Sequence, residues 1–142
     1  IFKTLIEPIL LYGSETWTLS SKLQKRGDGT YTRLLMRIKN ISWKRHPTKQ
    51  QIYNDLPQVS KIIKRRRVQF AGHCFRASKE MASNFVLWKP NSTGRRNSCK
   101  LTYPDVISRD TGIDFNDLGS AMGDREVWGS LVKSMTSTEV EK

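Results

Sequence analysis

KIIKRRRVQFAGHCFRASK, residues 61–79, joins helical periodicity to a dense run of cations. Between Lys61 and Arg76 stand six Lys or Arg residues and no Asp or Glu. At 3.6 residues per turn, Val59, Ile62, Ile63, Phe70 and Cys74 share one face of a helix. Lys61, Lys64, Arg65 and Arg76 fall opposite, while Arg66 and Arg67 flank the apolar stripe. The spacing predicts a helix packed along one side, with its cations left for solvent or for a polyanion. An ordinary solvated helix face has the same pattern, so the rest of the chain must decide between the two.

Working outward, 142 residues suffice for one domain or for two small ones sharing a core. A hydrophobic content of 37%, with four Trp, four Tyr and five Phe, argues for a globular body. The net charge of +12 is uneven: residues 1–100 carry +16 and residues 101–142 carry −4. That asymmetry predicts a nucleic-acid-facing body with a milder tail. Lipid headgroups are the other common polyanion, but no basic amphipathic helix shows the exposed aromatic face they require. Ile1 in place of Met is what a fragment or a truncated gene model would show. IFKTLIEPILLYG is too short for a membrane span and is interrupted by Glu7 and Pro8. Two cysteines, Cys74 and Cys99, do not make a disulfide framework.

The pattern predicts a mostly α chain, divided as 1–57, a basic helix and flank at 58–87, an exposed basic loop at 88–103, and a helical segment at 104–142. Residues 1–12 have helical spacing, Pro8 is expected to kink that helix or to begin a new turn, and Gly13 is a natural stop. RGDG at 26–29 predicts a second break. Tyr31, Leu34, Leu35, Ile38 and Ile41 then mark an amphipathic helix. Thr48 to Gln51 fits a capping box. Pro104 and Gly112 bracket a further helix, and Val127, Trp128, Leu131, Val132 and Met135 describe the last. The expected core is Leu5, Ile9, Leu34, Ile38, Ile52, Ile63 and Phe70.

Catalytic constellations are missing. Metal-dependent polymerases and nucleases cluster carboxylates, whereas Asp105 and Asp110 are spaced apart and no Asp-Asp pair occurs. His46, His73, Cys74 and Cys99 lack the short paired spacings of a zinc site. No G-x-S-x-G elbow or phosphate-binding glycine fingerprint is present. RGD at 26–28 and the sequon at Asn91 are short enough to arise by chance. What remains is cations interleaved with aromatics: Arg33, Arg37, Lys44 and Arg45 near Trp43, the 61–67 run, Arg76, Arg95 and Arg96. Cations neutralise phosphates and release counterions. The tryptophans, at 17, 43, 88 and 128, are expected in packing rather than as base platforms, given the area each can bury.

LIEPILLYGSETWTL (5–19), DGTYTRLLMRIKNISW (28–43), RRRVQFAGHCFR (65–76), ASNFVLWKP (82–90) and TYPDVISRDTG (102–112) occur in that order. Together they closely resemble the stretch downstream of the catalytic palm in reverse transcriptases of non-LTR (LINE-type) retrotransposons. LLYGSETW and AGHCFR are the most specific pieces. The resemblance implies a small helical, thumb-like bundle, a basic connector helix and a short helical C-terminal segment. It implies partners in template–primer RNA and DNA and in an upstream palm, with no membrane and no small-molecule substrate. Lys61, Lys64, Arg65, Arg66, Arg67 and Arg76 would be the main phosphate contacts, with Arg33, Arg37, Lys44, Arg45, Arg95 and Arg96 beside them. No catalytic residue or cofactor is expected here, because the family's Y/F-x-D-D aspartates and their Mg²⁺ belong to the palm. The parent protein would be an RNA-directed DNA polymerase working in the nucleus or a ribonucleoprotein. The alternative is a stand-alone basic RNA-binding or protein-interaction module derived from such an element.

Overall fold

A Schellman ending, two reciprocal side-chain caps and several aspartate caps divide the chain into short helices, as the turn chemistry predicts. The computed structural model describes residues 2–54, 56–77, 80–89 and 101–135. In order they form α1 (Glu7–Leu10), α2 (Ser21–Ile38), α3 (Lys49–Tyr53), α4 (Val59–Arg76), α5 (Glu80–Leu87), α6 (Tyr103–Thr111), α7 (Phe115–Gly123) and α8 (Arg125–Ser134). A π-helical stretch, Phe2–Ile6, leads into α1, and 3-10 turns occupy Ser14–Thr16 and Trp43–Arg45. The described residues contain no strand, so the protein is mostly α-helical.

Local chemistry accounts for the boundaries. Pro8 stands in the first turn of α1, where its missing N–H costs nothing. Gly13 adopts φ 67° and opens the 3-10 turn that follows. Thr48 and Gln51 form the predicted capping box, each side chain accepting the other's backbone N–H. α6 starts beside Pro104 and ends at Gly112, φ 75°. Asp114 and Asp124 cap α7 and α8 with their side chains.

RGDG does not break α2, which runs unbroken from Ser21 to Ile38. Two glycines flanking an aspartate are common turn residues, and Asp28 could have bonded its own neighbours. Instead Asp28 Oδ1 accepts the Ser60 N–H at 2.9 Å. Ser60 lies in the first turn of α4, whose own N-cap residue, Gln58, supplies no side-chain cap. An aspartate from α2 thus caps α4, and its charge also suits the positive end of that helix dipole. Gly27, one residue earlier, faces Val59, with room for a Cβ in ordinary contact.

α4 is the central element, touching α2, α5, α6, α7, α8 and the Ser14–Thr16 turn. It serves two apolar clusters in succession. Val59 and Ile63 join Leu11, Tyr31, Leu35, Ile52 and Tyr53. Val68 and Ala71 join Val86, Ile107, Leu118, Met122 and Trp128. The buried line follows Ile63, Arg67 and Ala71, one residue in four. Each such step advances by ~40° on a 3.6-residue helix, so the buried face of α4 turns by roughly a quarter circle between the clusters.

That rotation explains one misplaced core residue, Phe70; the others lie on α2 and in the N-terminal segment. Phe70 would be inside if α4 kept one stripe, but it is 38% exposed. On α2 the buried line is Tyr31 and Leu35; Leu34 is half-buried and Ile38 exposed. Leu11 takes the buried place expected of Ile9, leaving Leu5 and Ile9 exposed. Ile52 and Ile63 are buried as expected.

In the second cluster the Trp128 indole N–H donates to Val68 O at 2.9 Å. Its ring lies directly over Gly72, where a Cβ would overlap indole atoms. Gly129 on α8 has no atom within 4 Å of such a Cβ. Gly72→Ala should therefore lower unfolding stability by about 1–3 kcal/mol through overpacking. Gly129→Ala should raise it by about 0.5–1 kcal/mol through helix propensity. Urea denaturation followed by circular dichroism checks both signs.

Candidate nucleic-acid interface

The cations of the 61–67 run divide by position on α4. Lys61 and Arg65 are exposed, and neither makes an ion pair among the described residues. Lys64 is half-exposed and lies 3.9 Å from Asp110 Oδ1. Arg66 donates to Leu11 O at 3.2 Å, tying the LLYGSETW segment to α4. Arg76 donates to Met122 O at 2.7 Å while its side chain stays accessible.

Arg67 is a correction. It is 2% exposed and pairs with Asp110, whose side chain is fully buried. It therefore leaves the set of phosphate contacts. The cause is the rotation of the buried face, which carries position 67 into the seam between the clusters. Asp110 sits in the last turn of α6, where a carboxylate opposes the helix dipole. Arg67, Lys64 and Arg109 all lie within ion-pair range of it and outweigh that opposition. Arg67 Nη1 donates to Asp110 Oδ2, while Arg67 Nε and Asp110 Oδ1 have no hydrogen-bond partner, so the pair is a single charge-assisted hydrogen bond and not a two-bond fork.

Arg33 and Arg37 are exposed on α2. They continue a line begun by Lys22 and Arg26, since steps of four and seven residues return to one helix face. These two further cations were hidden by the expected break at RGDG; reading one continuous helix brings all four together. None of them makes an ion pair among the described residues. Lys44 and Arg45 are exposed in the 3-10 turn with Trp43. Arg95 and Arg96 lie outside the described residues, as do Cys99 and most of the expected 88–103 loop. Lys89 is engaged, 2.7 Å from Asp105 and 3.9 Å above the Phe115 ring centre.

The titratable groups elsewhere have structural partners. Asp105 Oδ2 accepts from the Thr102 N–H at 3.1 Å and from the Thr102 hydroxyl. The Lys89 hydrogen bond, then Thr102, holds its carboxyl below the usual range. Burial pushes the Cys74 thiol up, which disfavours the thiolate needed for a nucleophile or metal ligand. Burial also raises Tyr103, whose hydroxyl donates to Glu15 O at 3.0 Å and ties α6 to the Ser14–Thr16 turn. Burial, then Glu7, raises Tyr31. Among the described residues no three His, Cys, Asp or Glu side chains gather as a metal site. An apolar cavity of about 270 Å³ between α2 and α4, lined by Trp17, Leu23, Val59 and Ile63, has no charged group in its wall. No described helix is long and apolar enough to cross a membrane.

The tryptophans separate as well. Trp128 is buried, but Trp17, Trp88 and above all Trp43, at 77% exposure, are not in the core. Trp128 meets the packing expectation in the core and Trp17 in the wall of the cavity between α2 and α4, whereas Trp43 and Trp88 stand mostly in solvent.

No protein-family model matches the chain, and no solved structure matches it. It is 26% identical over 151 aligned residues to a transposon-derived protein of Caenorhabditis elegans, across 96% of this chain and 54% of that protein. The chain thus spans about half the length of that relative. The similarity supports a transposable-element origin.

Asp110→Ala would strand the Arg67 guanidinium in the seam. Loss of one partner of a buried pair predicts a fall in stability of about 3–5 kcal/mol. Replacing both, Arg67→Met with Asp110→Leu, should recover much of it. Urea midpoints of the single and double variants test this coupling.

Proposed function

We propose that this chain is the thumb and post-thumb connector of a non-LTR retrotransposon reverse transcriptase, gripping the template–primer backbone without performing chemistry itself. The observation that carries the reading is the pair of unpaired cation lines on α2 and α4. α4 has no acidic residue, and the one acid of α2, Asp28, is turned inward to Ser60. Lys22, Arg26, Arg33 and Arg37 on α2, with Lys61 and Arg65 on α4, offer point charges to phosphates and little that could read a base edge. Binding is therefore sequence-indifferent. The transposon-derived relative and the ordered motif blocks support the same origin.

The catalytic aspartates and the Mg²⁺ they hold are assigned to a palm on the same polyprotein. The carboxylates described here do not fit that metal, because no three of them gather and Asp28, Asp105 and Asp110 are bound to structural partners. Residence in the nucleus or in a ribonucleoprotein follows from this role. Leu5, Ile9 and Tyr12 are 60%, 80% and 86% exposed, an apolar edge that suits contact with a palm. A stand-alone module that bound only RNA would have no use for that edge.

Two measurements test the reading. Affinity for an RNA–DNA duplex, followed by fluorescence anisotropy, should fall steeply with salt. Lys61→Ala with Arg65→Ala should reduce the log–log slope by about 1–2, since each neutralised phosphate contributes about 0.9. An unchanged slope removes α4 from the contacts. Separately, the chain expressed alone should bind a hydrophobic dye, and Leu5→Glu with Ile9→Glu should abolish most of that signal. Dye binding that persists would place the exposed apolar surface elsewhere.

A further inference from the structure

The proposed grip accounts for cations but not for Trp43. Its indole is 77% exposed in a stretch, Ser42–His46, where every residue is exposed and three side chains are Lys44, Arg45 and His46. A bulky apolar ring kept in water among cations calls for a ligand with an aromatic face and negative charge. We propose that Trp43 is a stacking platform for an unpaired nucleobase, with Lys44 and Arg45 holding the adjoining phosphates. This assigns a single-stranded segment of the nucleic acid to the α2–α3 connection, and it rests on the backbone-binding reading above.

The connection is built to fix the backbone that carries the ring. α2 ends with Asn40 at φ 52°, its N–H donating to Arg37 O at 3.3 Å and that of Ile41 to Met36 O at 2.9 Å. These are the paired bonds of a Schellman ending. Ser42 then caps the 3-10 turn, its hydroxyl accepting the Lys44 N–H at 3.4 Å. His46, φ 44°, closes the turn by donating to Trp43 O at 3.1 Å. The capping box at Thr48 starts α3 two residues later. The His46 ring centre lies 6.2 Å from the indole at 55°, too tilted to cover its face. An open indole on a braced backbone can accept a base at a lower ordering cost than one on an unstructured loop. A lipid surface fits less well, since a single ring on a polar turn has no apolar face to insert.

The test compares the whole chain with Trp43→Ala and Trp43→Phe on two probes, a short oligouridylate and an RNA–DNA duplex. Stacking predicts that Trp43→Ala weakens oligouridylate binding about tenfold. Duplex affinity and both salt slopes should stay unchanged, and Trp43→Phe should recover most of the loss. Quenching of indole emission by oligouridylate should fall in step. Equal loss on both probes, or no loss on oligouridylate, overturns the platform while leaving the duplex grip standing. Loss of binding to anionic phospholipid vesicles alone would assign Trp43 to a membrane and also overturn it. Failure of the unmodified chain to bind either nucleic acid would remove both readings.

Discussion

A guanidinium with 2% of its surface exposed has to be answered by an opposite charge, and Arg67 is answered by Asp110. Burying either charge alone would cost several kcal/mol. Each therefore requires the other, and α6 is held against the middle of α4 at one register. Arg67 stands where the apolar cluster of Val59 and Ile63 ends and that of Val68 and Ala71 begins. The pair joins two small cores that share one helix. One charge-assisted hydrogen bond, from Arg67 Nη1 to Asp110 Oδ2, carries the contact, while Arg67 Nε and Asp110 Oδ1 complete none.

The entry to α4 depends on a second long-range contact. Asp28 caps it from α2, thirty-two residues earlier. One carboxylate thereby settles two matters. It satisfies a backbone donor that Gln58 leaves open, and it withdraws the only acid of α2 from that helix's outer face. The cations of α2 are left without a local counter-charge. Electrostatics on the surface follow here from hydrogen bonding within the fold.

The basic run thus does two kinds of work. Arg66, Arg67 and Arg76 bind carbonyls or a carboxylate of the protein itself. Lys61 and Arg65 remain available to a ligand. Composition counts these side chains alike, although they differ in what they touch. The same holds for the tryptophans, where Trp128 bonds Val68 O inside the second cluster and Trp43 stands in water.

Helical class, the caps at Thr48 and Gly112, the new helical turn at Pro8 and the amphipathic last helix were all legible in the residues, because short-range backbone chemistry decides them. The exposed cations Lys61, Arg65, Arg33 and Arg37 were legible for the same reason, by periodicity on one helix. Tertiary contacts decided the rest. The continuity of α2 through RGDG depends on Asp28 finding Ser60, and the burial of Arg67 depends on Asp110, forty-three residues away. The exposure of Phe70 follows from a buried face that rotates as α4 passes from one cluster to the next. A periodicity argument assumes one fixed face per helix. It fails where a helix serves two cores, since the direction of burial there is set by neighbours distant in the chain.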